Sequence, residues 1–160
     1  MRLSDFKALS FDCYGTLIDW ETGLAAALRP LQERSGATSD ALIEAYGPIE
    51  HAVEEEFPGL RYSELLEEAH VGLSDRFGVE PDPEAARAFG QSVGDWPAFS
   101  DSAEALRYLK QHFKLIILSN VDRASFARSN ARLGVEFDHV FTAEEIGSYK
   151  PDLRNFEHML

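Results

Sequence analysis

The sequence predicts an α/β fold with a parallel sheet, and three observations lead to this prediction. Three short segments have the length of strands: one apolar run ends at Asp12, a second covers 115–118, and residues 138–142 form the third segment. Segments with helical periodicity separate these runs, and strands that alternate with helices form βαβ units. The 160 residues are 44% hydrophobic and 27% charged, which supplies enough apolar material for one ordinary core.

The first strand lies at residues 7–11, where an apolar run stops at Asp12 and the chain turns at Gly15. A run of this kind predicts a buried strand that carries a carboxylate at its end. Open α/β folds bind ligands at the carboxyl ends of their strands, so Asp12 is the first candidate for chemistry. The alternative interpretation is that Asp12 only forms a turn or caps a helix.

Residues 19–96 show helical periodicity and contain no convincing strand. Four helices are predicted in this region, each from a residue that favours a helix N-terminus. The helices begin at Asp19, Ser39, Ser63 and Asp82. Pro30 kinks or breaks the first helix, and Gly78 ends the third.

The chain returns to the sheet at residues 94–99, where a proline favours extended backbone. Asp101 and Glu104 have the spacing of a capping box, which predicts a helix before the second strand. Asp122 is predicted to cap the helix that follows this strand. A last helix opens with the proline of 151–160 and then the sequence ends, so we expect the 160 residues to be part of a longer chain.

Polar and cationic side chains follow the later strands at the same edge of the sheet. Ser119 and Asn120 come directly after the second strand, and Lys150 supplies a cation in the loop before the last helix. With Asp12, these residues form three motifs in order along the chain: Asp12-x-Tyr14-Gly15-Thr16, Ser119-Asn120 and Lys150-Pro151-Asp152. The ordered set resembles the haloacid dehalogenase superfamily and, more narrowly, its 2-haloacid dehalogenase branch.

The resemblance implies a three-layer core with a Rossmann-like parallel sheet and an inserted α-helical cap. Residues 1–18 and 97–160 correspond to the core, and residues 19–96 correspond to the cap. In this superfamily the aspartate that matches Asp12 is the nucleophile. In the dehalogenase relatives the backbone amides just after it, here those of Cys13 and Tyr14, hold the substrate carboxylate.

The other motif residues fit roles around this nucleophile. Lys150 is expected to lie near Asp12 and to keep it ionised, and Thr16 is expected to hold one oxygen of its carboxylate. Ser119 and Asn120 offer hydrogen-bond donors for the substrate carboxylate. Structural alternatives exist for all of them: a solvated lysine, a hydroxyl that stabilises the turn, and a pair of residues that only ends a strand.

Tyr14 bears on the type of reaction. Phosphatases of the same superfamily carry an aspartate at this position to protonate the leaving alkoxide, and a phenol is a far weaker acid. A halide leaves without a proton, so the sequence favours hydrolytic dehalogenation of a small 2-haloacid through an ester on Asp12, with no metal and no cofactor. The leading alternative is a Mg²⁺-dependent phosphatase in which Asp12 is phosphorylated and binds the ion. A non-catalytic interaction module on the same fold is the second alternative.

Two features depart from the pattern of the dehalogenases. The cap arginine that helps to receive the halide has no counterpart near Ile43 and Glu44, which leaves Arg61, Trp20 or Trp96 as substitutes. The fourth motif, an acidic or polar loop after the next strand, has no counterpart in these residues. Both departures motivate the non-catalytic alternative.

Composition limits the partners. The formal net charge of −13 and the lack of any run of Lys or Arg disfavour binding to nucleic acid. No apolar stretch approaches the roughly 20 residues of a membrane span. The amino terminus lacks the pattern of a signal peptide, and the single Cys13 forms no internal disulfide. We therefore expect a cytoplasmic enzyme that acts on a small anionic substrate, as a monomer or a homodimer.

The acidic run Glu54-Glu55-Glu56 has two interpretations, a metal site or the solvated face of a helix. Charge runs of this length in a helical pattern are usually solvated. The five histidines show no spacing typical of zinc ligands. We therefore interpret the run as a solvated helix face and predict no metal site from these residues.

Overall fold

A computed structural model, which describes residue 2 and residues 5–160, has a parallel sheet flanked by helices. Within the described residues the sheet has three strands in the order β1-β2-β3, where β1 is Ala8–Phe11, β2 is Lys114–Ser119 and β3 is His139–Thr142. The strands lie where the two apolar runs and the segment 138–142 place them. The predicted α/β fold with a parallel sheet is confirmed.

The first strand differs from the prediction in its burial. Residues of β1 alternate between exposed and partly buried, because β1 pairs with β2 alone within the described sheet. The prediction of a buried first strand is therefore wrong, and the buried strand is β2, where Leu115 and Ile117 are 0% exposed. The register pairs Phe11 with Ile117 and Ser119 with Thr142, so the strands end at a common edge of the sheet.

Between residues 20 and 95 every element is helical. This region contains, in order, α1 Trp20–Ala27, α2 Arg29–Ser35, α3 Ser39–Glu56, α4 Tyr62–Arg76, α5 Pro83–Gln91 and a 3₁₀ helix, Ser92–Asp95. The predicted break of the first helix is confirmed, since α1 and α2 meet at Leu28 and Pro30 lies in the first turn of α2. α4 packs against both α3 and α5.

Local capping sets most of the helix starts. The side chains of Asp19, Asp82 and Asp122 accept hydrogen bonds from backbone N–H groups in the first turns of the helices that follow them, as predicted. The cap of α3 is Thr38, one residue before the predicted Ser39. Where a short polar side chain caps a helix, the sequence therefore predicted the first residue of that helix with an error of at most one position.

Four helices accompany the later part of the sheet. They are α6 Ser102–Lys110, α7 Arg123–Leu133, α8 Ala143–Ile146 and α9 Leu153–Met159. The capping box predicted at Asp101 is wrong, because Asp101 has helical backbone angles (φ −98°, ψ −15°) and its side chain makes no capping bond. The short α8 was not predicted, and α9 begins two residues after Pro151 because Asp152 caps it.

The helical region leaves and rejoins the sheet through two neighbouring segments. The N–H of Asp19 donates to the carbonyl of Pro97 over 2.8 Å, and one hydrophobic core continues from the sheet into the helices. Gly23 of α1 lets Trp96 lie against the helix, since a Cβ at this position would be 2.2 Å from Trp96 Cγ. None of the helices in the described part of the chain combines the length and apolar character that crossing a membrane requires.

Candidate active site

The structure brings Asp12, Thr16 and Lys150 together at the carboxyl edge of the sheet. Asp12 directly follows β1, and Lys150 Nζ lies 2.6 Å from Asp12 Oδ1. Thr16 Oγ1 donates to Asp12 Oδ2 over 3.2 Å. The Asp12 side chain remains 42% exposed. The carboxylate is thus oriented by a cation and a hydroxyl and is still accessible to a ligand.

Contacts with the end of β2 hold Lys150 in place. Its ammonium donates to the carbonyl of Leu118 over 2.8 Å. Its backbone is bound by the Asn120 side chain, where Oδ1 accepts from the Lys150 N–H over 2.6 Å and Nδ2 donates to the Lys150 carbonyl over 3.1 Å. Asn120 was predicted to bind substrate, and in the structure its amide connects the strand end to the lysine loop.

The turn after Asp12 leaves backbone donors free. The carbonyl of Cys13 accepts from the N–H groups of Leu17, over 2.7 Å, and Ile18, over 2.9 Å. The N–H groups of Cys13 and Tyr14 donate to no other group among the described residues. The hydroxyl of Ser119, a residue that is 2% exposed, also makes no hydrogen bond within the part of the chain described. Tyr14 and Ser119 line the cavity described below, whereas Cys13 is fully buried and lies outside its lining.

Burial makes the two side chains after Asp12 poor acids. Cys13 is fully buried, and desolvation raises the pKa of its thiol to about 12, so the thiol stays protonated and is not a nucleophile at neutral pH. Desolvation also raises the pKa of Tyr14, whose hydroxyl is hydrogen-bonded to Ser129 Oγ over 2.8 Å. Tyr14 is therefore badly suited to protonate a leaving group.

A cavity of about 300 Å³ lies beside these groups. We call its two sides the sheet wall and the helical wall. The sheet wall consists of Asp12, Tyr14, Ser119, Asn120, Val121 and Lys150, and the helical wall of Trp20, Tyr46, Gly47, Glu50, Glu54, Tyr62 and Trp96. Five of the seven predicted site residues line the cavity. Thr16 and Cys13 lie outside the lining: Thr16 donates a hydrogen bond to Asp12, and the carbonyl of Cys13 accepts hydrogen bonds within the turn. A cavity of this size fits a small organic acid.

The helical wall contains acidic and phenolic groups that the sequence analysis did not identify as site residues. Glu50 Oε1 accepts hydrogen bonds from Tyr46, over 2.8 Å, and from Tyr62. The two phenol oxygens lie 3.2 Å apart. Tyr46, Glu50 and Glu54 are spaced by four residues along α3, which places them on one face of the helix. This spacing is a sequence signal that the three residues share a face, but not that the face lines a cavity.

The interpretation of the acidic run as a solvated face is wrong for its first residue. The Glu54 side chain is 18% exposed and lines the cavity, whereas Glu55 and Glu56 are exposed. The reason is that the inward face of α3 includes every fourth residue after Tyr46. Among the described residues, no three His, Cys, Asp or Glu side chains come together in a way that suits a metal ion.

The proposed substitutes for the cap arginine divide into two groups. Trp20 and Trp96 line the cavity. Arg61 is exposed and forms an ion pair with Glu64 at 2.5 Å, outside the cavity lining. Basic side chains of the helical region therefore do not reach the described cavity, and its single basic lining residue is Lys150.

Glu54 makes the stability of the fold depend on pH. Burial and the neighbouring carboxylate of Glu50 raise the pKa of Glu54 from 4.5 to about 7. The folded state holds this proton more tightly than the unfolded chain does, so the stabilisation is complete below pH 4.5 and is lost as the pH rises through about 7. Because the side chain is partly solvated, we expect a loss of about 1 to 2 kcal/mol in the free energy of unfolding.

Urea denaturation at pH values of about 4 and about 8 measures this loss. The difference between the two values should shrink in Glu54→Gln, which cannot titrate. It should persist in Glu56→Gln, which removes an exposed carboxylate from the same turn of α3. An unchanged pH dependence in Glu54→Gln would show that this carboxyl group does not titrate as described.

Comparisons with known proteins agree with this architecture. The sequence model of the haloacid dehalogenase-like hydrolase family matches residues 6–160. The structure of L-2-haloacid dehalogenase from Xanthobacter autotrophicus with chloropropionic acid covalently bound has a TM-score of 0.81 and 21% identity, over 96% of this chain and 63% of that chain. A defluorinating L-2-haloacid dehalogenase has a TM-score of 0.77 and 21% identity, over 96% of this chain and 66% of that chain.

YfnB from Bacillus subtilis, in its magnesium-bound structure, has a TM-score of 0.78 and 21% identity, over 96% of this chain and 72% of that chain. No curated protein sequence matches the chain significantly. Identities at this level show a shared fold. The chain spans only about two thirds of the dehalogenase structures: it covers 63% of the Xanthobacter autotrophicus enzyme and 66% of the defluorinating enzyme.

Proposed function

This chain belongs to the family of haloacid dehalogenase-like hydrolases, and we propose that it hydrolyses the carbon–halogen bond of a small 2-haloacid through an ester on Asp12. The observation that carries the proposal is the carboxylate of Asp12, which lies 2.6 Å from Lys150 at the wall of a cavity of about 300 Å³. A carboxylate that is oriented, accessible and next to a cation suits nucleophilic catalysis. We interpret residues 19–96 as the cap that covers it.

The first step is a displacement at the carbon next to the substrate carboxylate. An oxygen of Asp12 forms a bond to this carbon while the carbon–halogen bond breaks, and the halide leaves with the bonding electrons. The free N–H groups of Cys13 and Tyr14 and the hydroxyl of Ser119 bind the substrate carboxylate. These donors offset the repulsion between an anionic substrate and an anionic nucleophile.

The second step is hydrolysis of the ester. Water adds to the carbonyl carbon of Asp12, and the bond between that carbon and the ester oxygen then breaks to release the 2-hydroxyacid. Overall one water is consumed, and a halide ion, a proton and the hydroxyacid are produced. The Lys150 ammonium, 2.6 Å from Oδ1, stabilises the negative charge that develops on this oxygen during the addition.

The state of Tyr14 supports dehalogenation over phosphate-ester hydrolysis. An alkoxide leaving group needs a proton, whereas the phenol of Tyr14 is partly buried and hydrogen-bonded to Ser129, and desolvation raises its pKa. A halide ion needs no proton when it leaves. The tyrosine at position 14 therefore does not slow the departure of a halide, whereas it would slow the departure of an alkoxide in a phosphatase.

A Mg²⁺-dependent phosphatase is the second candidate, and the similarity to magnesium-bound YfnB favours it. Mg²⁺ prefers oxygen ligands in an octahedral arrangement. On the sheet wall, Asp12 is the one carboxylate among the described lining residues, and it is already paired with Lys150. The residues present do not complete such a site by themselves, so acids from a further part of the protein would be required.

Halide release measured by ion chromatography tests the proposal. We expect the full-length protein to release chloride from a panel of small 2-chloroacids and to be unaffected by EDTA. Under the same conditions phosphate release from a panel of small phosphate esters should be far slower. Loss of turnover with the chelator, or phosphate release that exceeds halide release, would favour the phosphatase instead.

A further inference from the structure

We propose that the helical wall binds a cationic group of the substrate, an ammonium or trimethylammonium, between the carboxylates of Glu50 and Glu54 and the aromatic rings beside them. This inference rests on the proposed function, because it names the class of 2-haloacid that the same cavity accepts. The substrate would be a zwitterion with its carboxylate at the sheet wall and a cation at the far end of its side chain. Rings, carboxylates and the distribution of charge each support it.

Aromatic rings make up much of the helical wall. The rings of Trp20 and Tyr46 have centroids 6.4 Å apart and an interplanar angle of 33°. Trp96 lies edge-to-face with Tyr14, with centroids 5.8 Å apart. The faces of tryptophan and tyrosine rings attract cations, and quaternary ammonium groups bind where several such rings surround them. A wall of this composition suits a cation better than a halide or a carboxylate.

Glu50 is held in one orientation by two buried phenols. Its Oε1 accepts from both Tyr46 and Tyr62, which are 3% and 9% exposed. Its Oε2 makes no hydrogen bond to any other described residue and is not a buried atom. When one carboxylate oxygen is held by hydrogen bonds and the other has no partner, the second oxygen is a hydrogen-bond acceptor in a fixed position for a ligand.

Glu54 adds a second carboxylate one turn along α3. Its nearest basic group is His51, whose Nδ1 lies 3.8 Å from Glu54 Oε2 and whose side chain is 67% exposed. Lys150 belongs to the sheet wall, where its ammonium contacts Asp12 and the carbonyl of Leu118. The cavity lining thus has acidic groups on its helical side and no basic side chain among the described residues there.

The charge distribution therefore orients the substrate. An ionised carboxylate attracts a cation and repels an anion, and a bound cation would in turn lower the pKa of Glu50 and Glu54, which burial raises. The substrate carboxylate is expected at the free N–H groups of Cys13 and Tyr14, and a positive group at Glu50 and Glu54. A cation in this position supplies the positive charge that the described residues of the helical wall lack.

Calorimetric titration of the full-length protein with two isosteric ligands tests the inference, at a pH of about 8, which lies above the pKa of Glu54. One ligand is γ-trimethylammoniobutyrate, and the other replaces the trimethylammonium with a tert-butyl group, so the pair differs only in the positive charge. We expect the cationic ligand to bind at least about tenfold more tightly, which corresponds to about 1.4 kcal/mol. Equal affinities, or tighter binding of the neutral ligand, would overturn the inference.

Substitutions on α3 test whether a binding preference for the cationic ligand depends on the helical wall. Glu50→Gln keeps an oxygen that accepts from the two phenols, and Glu54→Gln changes no hydrogen bond to a tyrosine. Either variant should reduce the preference to about threefold or less, whereas Glu56→Gln should leave it unchanged. If Glu50→Gln fails to fold, Glu54→Gln and the ligand pair still decide the question. A preference retained in a folded Glu50→Gln and in Glu54→Gln would overturn the inference.

Halide release separates this inference from the proposed function. The α-chloro derivative of γ-trimethylammoniobutyrate should release chloride faster than the α-chloro derivative of the tert-butyl isostere. A binding preference for the cation without chloride release from any 2-chloroacid would refute dehalogenation and support the cation site. Chloride release from 2-chloropropionate without a binding preference would support dehalogenation and refute the cation site.

Discussion

Asp12→Asn is expected to lower the rate of halide release by about 10⁴-fold or more. A neutral amide is a much weaker nucleophile than a carboxylate, so the ester intermediate no longer forms. Asparagine has nearly the same shape as aspartate, and its side-chain oxygen still accepts a hydrogen bond from Thr16 or from Lys150. The loss should therefore appear in kcat, with little change in the melting temperature.

The matched control is Asp101→Asn, which removes an exposed carboxylate that makes no capping hydrogen bond and lies outside the cavity lining. This variant should retain the activity of the unmodified protein. A second measurement uses water enriched in heavy oxygen, because hydrolysis at the carbonyl carbon places an oxygen from water in the Asp12 carboxylate. Turnover by Asp12→Asn within about tenfold of the unmodified protein, or heavy oxygen absent from the Asp12 peptide after turnover, would refute the ester mechanism.

Lys150→Met is expected to lower kcat/KM by about 10²- to 10³-fold, the usual loss when one preorganised electrostatic group is removed from an active site. Methionine has a similar length and no charge. Without the ammonium 2.6 Å from Oδ1, the Asp12 carboxylate repels an anionic substrate, and the oxyanion formed during ester hydrolysis loses its counter-charge. Steady-state kinetics with 2-chloropropionate measures the change.

The control for this variant is Lys114→Met, which alters the net charge by the same amount at an exposed position at the start of β2. It separates the local effect of Lys150 from the effect of making an acidic protein more acidic. Lys150→Arg keeps the charge in a larger and differently shaped group, so partial activity is expected. Equal activities for Lys150→Met and Lys114→Met would show that the amine at 150 has no role in the reaction.

Much of the core could be predicted from short stretches of sequence. Two apolar runs and the segment 138–142 located the three strands, and the polar residues after the two apolar runs located the edge where Asp12 and Ser119 lie. Helix starts at Asp19 and Asp122 followed from capping chemistry, which involves residues only a few positions apart. These predictions succeeded because the interactions behind them are local.

Predictions failed where burial depends on elements distant in the chain. The first strand is apolar yet only partly buried, since its burial depends on which elements cover it. Asp101 has the spacing of a cap but helical backbone angles, in a segment where Phe99 N–H and Ser102 Oγ both donate to the distant carbonyl of Leu17. The contact of the Asn120 amide with the backbone of Lys150 was not predicted either, because it joins residues thirty positions apart, and the role of Asn120 toward the substrate stays a prediction.

The amino-acid sequence alone determined the order of strands and helices and the residues at the strand ends, because periodicity and capping depend on near neighbours. Tertiary structure decided the composition of the helical wall. Tyr46, Glu50 and Glu54 share a face of α3, but only the packing of α3 against α1 and α4 turns that face toward Asp12 and the cavity. The direction of a helix face is set by contacts between distant segments, which no local pattern encodes.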